Sequence, residues 1–216
     1  MNIPGLFNES HVFENVARMY TSTNAFLSST PDFQVLTINE QQALFDRNFH
    51  GVLSLFSIIF LRSIGIFQYP TCLEVQKKVY GDEMVKKGRQ ISDQLEPDET
   101  ILKIFLIILT FSSNCFLVDL NSVFKNDTFI HGTFRLMGSQ NVYVELLWKY
   151  MTYRYGHRAT TLRFSKLIGL FLTIIRCCTE IYTENNDHQN LVNGVVRQIQ
   201  DSLIINQDEH VSLWGK

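Results

Sequence analysis

Histidine and cysteine are the side chains here that could act as bases, nucleophiles or metal ligands, and their spacing argues against all three roles. The six histidines, His11, His50, His131, His157, His188 and His210, are scattered over helix edges and connecting stretches. A general base needs a partner within hydrogen-bond reach, and no spacing supplies one, so each reads as a surface or satisfied histidine. The four cysteines, Cys72, Cys115, Cys177 and Cys178, show neither CxxC nor a Cys/His zinc pattern. Cys115 and Cys178 are the conceivable nucleophiles, but an apolar setting raises a thiol's pKa and dulls it. The adjacent pair Cys177-Cys178 lies in an apolar run and reads as buried thiol. There is no GxSxG, no phosphate-cradling glycine loop and no HExxH. The expectation is a protein that binds and does not catalyse, without a metal, in a reducing compartment.

The elements that would position a binding site are helical. His11 to Ser29 places Val12, Phe13, Val16, Tyr20 and Leu27 at helical spacing, with a cap expected near Ser10. A turn at Pro31 to Phe33 precedes a second helix, expected to start near Asn39 with Glu40 in its first turn. Its stripe, Leu44, Phe45, Asn48, Phe49, Val52, Leu53 and Phe56, widens until Ser54 and Ser57 are its main polar residues. A helix apolar all round must be covered on every side. Glu96 to Glu99 starts another such helix, Ile101 to Phe111. Ile64 to Val79, with Gly65 and Tyr69-Pro70, reads as a bend or short hairpin, and Tyr80 to Glu96 as a solvated helix or a loop. Val142 to Met151 carries a clean stripe that Gly156 breaks before the very apolar Leu162 to Ile175. The polar tail has one modest stripe, Leu191, Val195, Val196, Ile199 and Leu203. The reading is all-α, an antiparallel helical sandwich, with a main domain at 1–178 and a C-terminal helix or tail at 179–216.

The stretch from Phe33 to Arg62 also resembles a known signature. Phe33, Leu36, Glu40-Gln41 and Leu44-Phe45 fall in the register of the nuclear receptor ligand-binding domain, a three-layer helical sandwich. Two further stretches are similar to that family: Glu96 to Phe111, like its central helix, and Asn141 to Ile175, like its penultimate long helices. Together they cover about Phe13 to Cys178. The family's usual first helix has no room before His11.

The resemblance implies three sites. An apolar ligand pocket would have Phe56, Ile59, Phe60 and Arg62 on its floor and Tyr20 and Leu27 on a wall, and would take a steroid, retinoid or fatty acid. Arg62 would anchor a carboxylate, although the family's arginine position, counted from Leu44-Phe45, falls on Phe60; the alternative is an arginine capping a helix C-terminus. A groove for a coregulator's amphipathic helix would use Ile38, Gln42 and Phe45, with Ser28 where the family has a clamp lysine, and Asp46 after the apolar pair. These could equally be ordinary packing residues. The family's C-terminal activation motif is absent: LIINQDEHVSLW contains Glu209 without the required spacing. A dimer seam would use Leu162, Phe164, Leu167, Phe171 and Ile174, which could equally be core.

Composition bounds the partners. With 216 residues, 45% hydrophobic and 19% charged, one domain with a sizeable core is expected. A net charge of −2 argues against nucleic acid binding by this chain. No signal peptide is read at the N-terminus, and the longest uncharged run, Ile104 to Val118, is short of the roughly 20 residues a membrane span needs. The expectation is a nuclear, or nuclear and cytoplasmic, transcription regulator, dimeric with itself or another nuclear receptor, and not a ligand-switched activator. A helical lipid carrier or scaffold is the alternative from another class, and a peripheral membrane protein the third.

Overall fold

The computed structural model describes residues 8–112 and 133–211, with the side chains of 46–47, 133–136 and 200–211 outside the description. Asp46, Cys115, His131, His210 and Glu209 are therefore named above without a structural account. The described residues form helices and no strand, as the all-α expectation requires. They are α1 (Glu9–Ser28), α2 (Pro31–Gln34), α3 (Ile38–Ser63), a 3-10 turn (Ile66–Gln68), α4 (Pro70–Tyr80), α5 (Asp82–Gln94), α6 (Glu99–Thr110), α7 (Thr133–Tyr155), α8 (His157–Glu184) and α9 (Asn186–Val211).

Two helix starts fall earlier than expected, for the same reason. α1 is capped by Asn8, whose side chain accepts from the His11 N–H while His11 bonds back, and not near Ser10. α3 is capped by Thr37, in a reciprocal box with Glu40, and not at Asn39. Such a box satisfies two of the helix's orphan N–H groups at once, which a lone asparagine cannot do. The stretch read as a bend or hairpin is mostly helix. Gly65 turns the chain at φ 65°, and Pro70 supplies the preset dihedral at the start of α4. Tyr80 to Glu96 resolves to the helix alternative, α5.

The two helices that are apolar all round sit at the centre. α3 packs against α1, α5, α6, α8 and α9, and α6 packs against both α3 and α7. α6 buries Ile101, Leu102, Ile104, Phe105, Leu106, Ile108, Leu109 and Thr110. Asn48 of α3 is only 1% exposed, and its amide donates to the Thr110 and Ser112 carbonyls at 2.8 and 2.5 Å. Those are carbonyls at the end of α6 that lack helical partners, so one polar side chain in the core ties the interior of α3 to the end of α6. No single described helix is long and apolar enough to cross a membrane; α3 qualifies only as two segments meeting at 59°.

The signature residues hold α2 and the start of α3 to this centre. Phe33, Leu36 and Leu44 form a cluster with Phe111, against which Tyr143 stacks at 6.1 Å. The Gln41 amide donates to the Phe33 and Leu36 carbonyls at 3.0 and 3.3 Å, closing the α2–α3 turn. Asp32 accepts from Tyr143 and Ser139 of α7 at 2.6 and 3.0 Å. The α5–α6 connection is fastened in the same way. Glu96 accepts from Arg163 at 3.0 Å and Tyr155 at 3.1 Å, with the Arg163 guanidinium 4.0 Å over the Tyr155 ring.

The division at 178/179 lies inside α8, which runs on to Glu184, and α9 places Val192 and Ile199 in the main core cluster. The tail's modest stripe is thus enough to dock a helix on α1 and α8.

Candidate ligand cavity

Three long helices and two short ones leave a cavity of about 150 Å³ behind α3. α1 brings Val12, Val16, Met19 and Tyr20 to it, one face at helical spacing. α3 contributes His50, Leu53, Ser54, Ser57, Ile58 and Leu61, again a single face. The 3-10 turn adds Ile66 and Phe67, α4 adds Gln76 and Tyr80, and α5 adds Met84, Val85, Gly88 and Ile91. α8 closes it with Ile174, Cys177, Cys178, Ile181 and Tyr182, and His188 enters from α9. The wall is mostly apolar, with a few polar groups, the usual composition of a small-molecule site.

The polar groups come from several walls: Asn15 and Tyr20 of α1, His50, Ser54 and Ser57 of α3, Gln76 and Tyr80 of α4, Tyr182 of α8 and His188 of α9. The turn between α8 and α9 is tied down by Asn185, whose amide donates to the Val79 carbonyl at 2.8 Å and whose oxygen caps His188 N–H at 2.9 Å. That docking sets the His188 ring against Tyr80, with Nδ1 and the hydroxyl 3.2 Å apart and the rings near perpendicular at 76°. His50 lies 5.9 Å from the Tyr182 ring, and Tyr182 donates to Asn193 at 2.8 Å. Burial pushes both histidines down to about 4, with His188 adding to the effect on His50, so both are neutral near pH 7. Burial raises the Tyr20 phenol well above its ordinary value, reinforced by Cys178, Tyr182 and Tyr80. It also pushes the Cys178 thiol up to about 11, partly offset by a hydrogen bond with Ser54. A thiol so held is protonated and a poor nucleophile. Among the described residues no three His, Cys, Asp or Glu side chains converge on a metal position.

Of the residues expected to bind ligand, Tyr20 lines this cavity, and Leu27, Phe56, Ile59, Phe60 and Arg62 do not. Leu27 is core, and Phe56 and Phe60 stack on each other at 6.5 Å beside it. Arg62 donates to the Leu95 and Glu96 carbonyls at 3.2 and 2.9 Å, just past the end of α5, so it caps a helix other than its own. The face of α3 that meets the cavity is instead His50, Ser54, Ser57 and Ile58, about a third of a turn away from Phe56 and Phe60. The signal present in the sequence was that His50, Ser54 and Ser57 share one face of α3.

The groove residues divide. Phe45 is core, stacked on Phe49 at 4.0 Å, while Ser28, Ile38 and Gln42 are half-buried. The seam residues divide too: Leu167, Phe171 and Ile174 are core, Phe164 is half-buried against Trp148, and Leu162 is 67% exposed. Ile168 and Leu172 of α8 and Val142 and Leu146 of α7 are further exposed apolar residues.

Gly88 sits mid-helix on the cavity wall, where a Cβ would meet the Phe67 ring at 3.8 Å, an ordinary contact. Gly88→Ala is therefore expected to stabilise the fold by about 0.5–1 kcal/mol, seen as a higher midpoint in urea at unchanged slope. A lower midpoint would mean that the α5 wall stands closer to Phe67 than this.

No protein-family model matches the chain, and no curated protein matches it.

Proposed function

We propose that the chain is a divergent nuclear receptor-like ligand-binding domain that acts in transcriptional control, with a small apolar molecule as its ligand. The observation that carries this reading is the cavity between α1, α3 and α8. It is bounded by the helix before the signature, the signature helix and the last of the apolar long helices, and of the pocket residues that the resemblance implies it takes in Tyr20. The signature residues support it, since Phe33, Leu36, Gln41 and Leu44 all serve the α2–α3 junction beneath that wall. On this reading the domain is nuclear, contacts coregulators through the Ile38–Gln42 region, and is not a ligand-switched activator, because Ser28 cannot supply the clamp cation. A steroid, retinoid or fatty acid would need the cavity to expand, since such pockets usually measure about 300–1,000 Å³.

Native mass spectrometry of the domain purified without additives tests this. The expected result is a retained apolar small molecule that leaves on denaturation. Ser57→Leu, which loses only an i−4 bond to the Leu53 carbonyl, should abolish retention without lowering thermal stability. A clean mass from the wild type, together with no binding of added apolar probes, would sink the ligand-binding reading.

One observation favours a second reading, a helical scaffold acting through self-association. Leu162, Ile168 and Leu172 leave an exposed apolar series along α8. The same spectrum distinguishes it: a dimer with no ligand is what a scaffold would give.

A further inference from the structure

A ligand's polar atom can engage a polar group that lines a cavity and has no partner within the protein. Two side chains of the cavity wall are of this kind. Tyr20 is 3% exposed and Gln76 is 7% exposed, and neither makes a hydrogen bond within the described residues. The neighbouring polar groups are engaged: Tyr80 with His188, Tyr182 with Asn193, and the Ser54 and Ser57 hydroxyls with main-chain carbonyls of their own helix. Gln76 lies one turn before Tyr80 on α4, and the Tyr20 hydroxyl is within electrostatic reach of Tyr80. The two unpartnered groups thus border the same polar corner.

The wall also decides the charge of what can enter. Among the described residues, no Lys, Arg, Asp or Glu lines the cavity. Arg62 is committed to main-chain carbonyls and Lys87 to Glu180 at 3.2 Å. A carboxylate brought into such a site loses its hydration and gains no counter-ion, which costs far more than burying a hydroxyl or carbonyl that finds a partner. Size is the third constraint, because a cavity of about 150 Å³ holds something like a benzene ring.

We propose that the cavity takes a compact, neutral ligand, one ring or its equivalent bearing a single hydroxyl or carbonyl, whose oxygen is bonded by Tyr20 and Gln76. This rests on reading the cavity as a ligand site and names the class of ligand it selects. The acidic members of the expected ligand set, fatty acids and carboxylate retinoids, are excluded by it.

The test compares three single-ring probes by titration calorimetry on the full chain at pH 7.5: benzyl alcohol, ethylbenzene and benzoate. Benzyl alcohol and ethylbenzene should both bind, and benzoate should not. Tyr20→Phe and Gln76→Leu should each weaken benzyl alcohol, about tenfold for the pair together, while leaving ethylbenzene unchanged or tighter. Neither substitution should lower the thermal stability of the unliganded protein, since each removes a polar group that has no partner. Benzoate binding tighter than benzyl alcohol would overturn the proposal, and so would an alcohol-to-hydrocarbon ratio that both substitutions leave unmoved. In either case the cavity would still be a ligand site. Failure of all three probes to bind would remove the ligand-site reading itself, and the proposal with it.

Discussion

Truncating Phe49 to alanine should cost about 3–5 kcal/mol of stability, the range for a fully buried aromatic whose site cannot close over the void. Phe49 is 1% exposed and sits on the central helix, with three ring neighbours. Phe45 stacks on it at 4.0 Å, the Tyr20 ring lies 5.5 Å away across the α1–α3 contact, and His50 meets it edge-on at 6.3 Å. Losing the ring therefore removes both apolar burial and aromatic pairing, the latter worth about 0.5–1.5 kcal/mol per good pair. It also frees Tyr20, the wall residue whose hydroxyl faces the candidate ligand, so binding of a neutral probe should weaken in the same variant. Phe49→Leu keeps most of the volume and should cost no more than about 1.5 kcal/mol. Urea unfolding measures both, read as midpoint shifts at constant slope. A loss below about 1 kcal/mol for the alanine variant is what an ordinary surface position would show, and would mean that the ring cluster is not packed as described.

Phe49 also illustrates what could be read from the sequence. Helical periodicity is a property of neighbouring residues, so the stripes on α1, α3, α6, α7 and α8 were visible and their burial followed from width alone. After Val52 the helix had no polar face beyond Ser54 and Ser57, and it lies at the centre of the fold. Short-range signals were harder. Thr37 and Glu40 form a capping box that the pattern Thr-x-x-Glu announces, but the asparagine two residues on was the more conspicuous cap. Gly65 and Pro70 mark a turn and a helix start, which without strand alternation on either side were compatible with a hairpin too.

The site was less legible because its parts are not neighbours. Tyr20, Gln76, Tyr80 and His188 come from α1, α4 and α9, and only packing brings them to one cavity. Tyr20 was reached through the resemblance, which pointed to the wall formed by α1. The same resemblance pointed to Phe56 and Phe60, which stack on each other away from the cavity, and to Arg62, which reaches the α5–α6 connection. A rotation of about 100° per residue is enough to exchange a pocket face for a packing face. A signature located α3 along the chain but did not determine which side of it meets the void.

The second large effect is an acid loss of stability carried by His50 and His188. Both are held at about 4 in the folded protein, against about 6.5 in an unfolded chain. Between those values the unfolded state binds more protons than the folded one, so stability falls as pH falls through that window and is flat above about 7. A shift of that size is worth on the order of 3 kcal/mol for each histidine once pH 4 is reached, and about 2 kcal/mol each by pH 5. The groups around them do not compensate. Tyr20, Tyr80 and Cys178 are all raised by burial and stay protonated throughout. Asp98 contributes in the same sense but at lower pH: burial opposes its ionisation, while hydrogen bonds from Tyr150 and the Thr100 and Ile101 N–H groups, with Arg154 beside it, hold it below its usual value. Thermal midpoints measured from pH 8 to pH 4.5 should be level to about 7 and then fall, and His50→Gln should remove about half of the fall. Proton NMR titration of the two rings should show neither protonating before the protein begins to unfold. A ring titrating near 6.5 in the folded protein would contradict its burial in the cavity wall. Since protonation would also put charge into a wall that has none, a neutral ligand should stabilise the domain most at neutral pH and progressively less across the same interval.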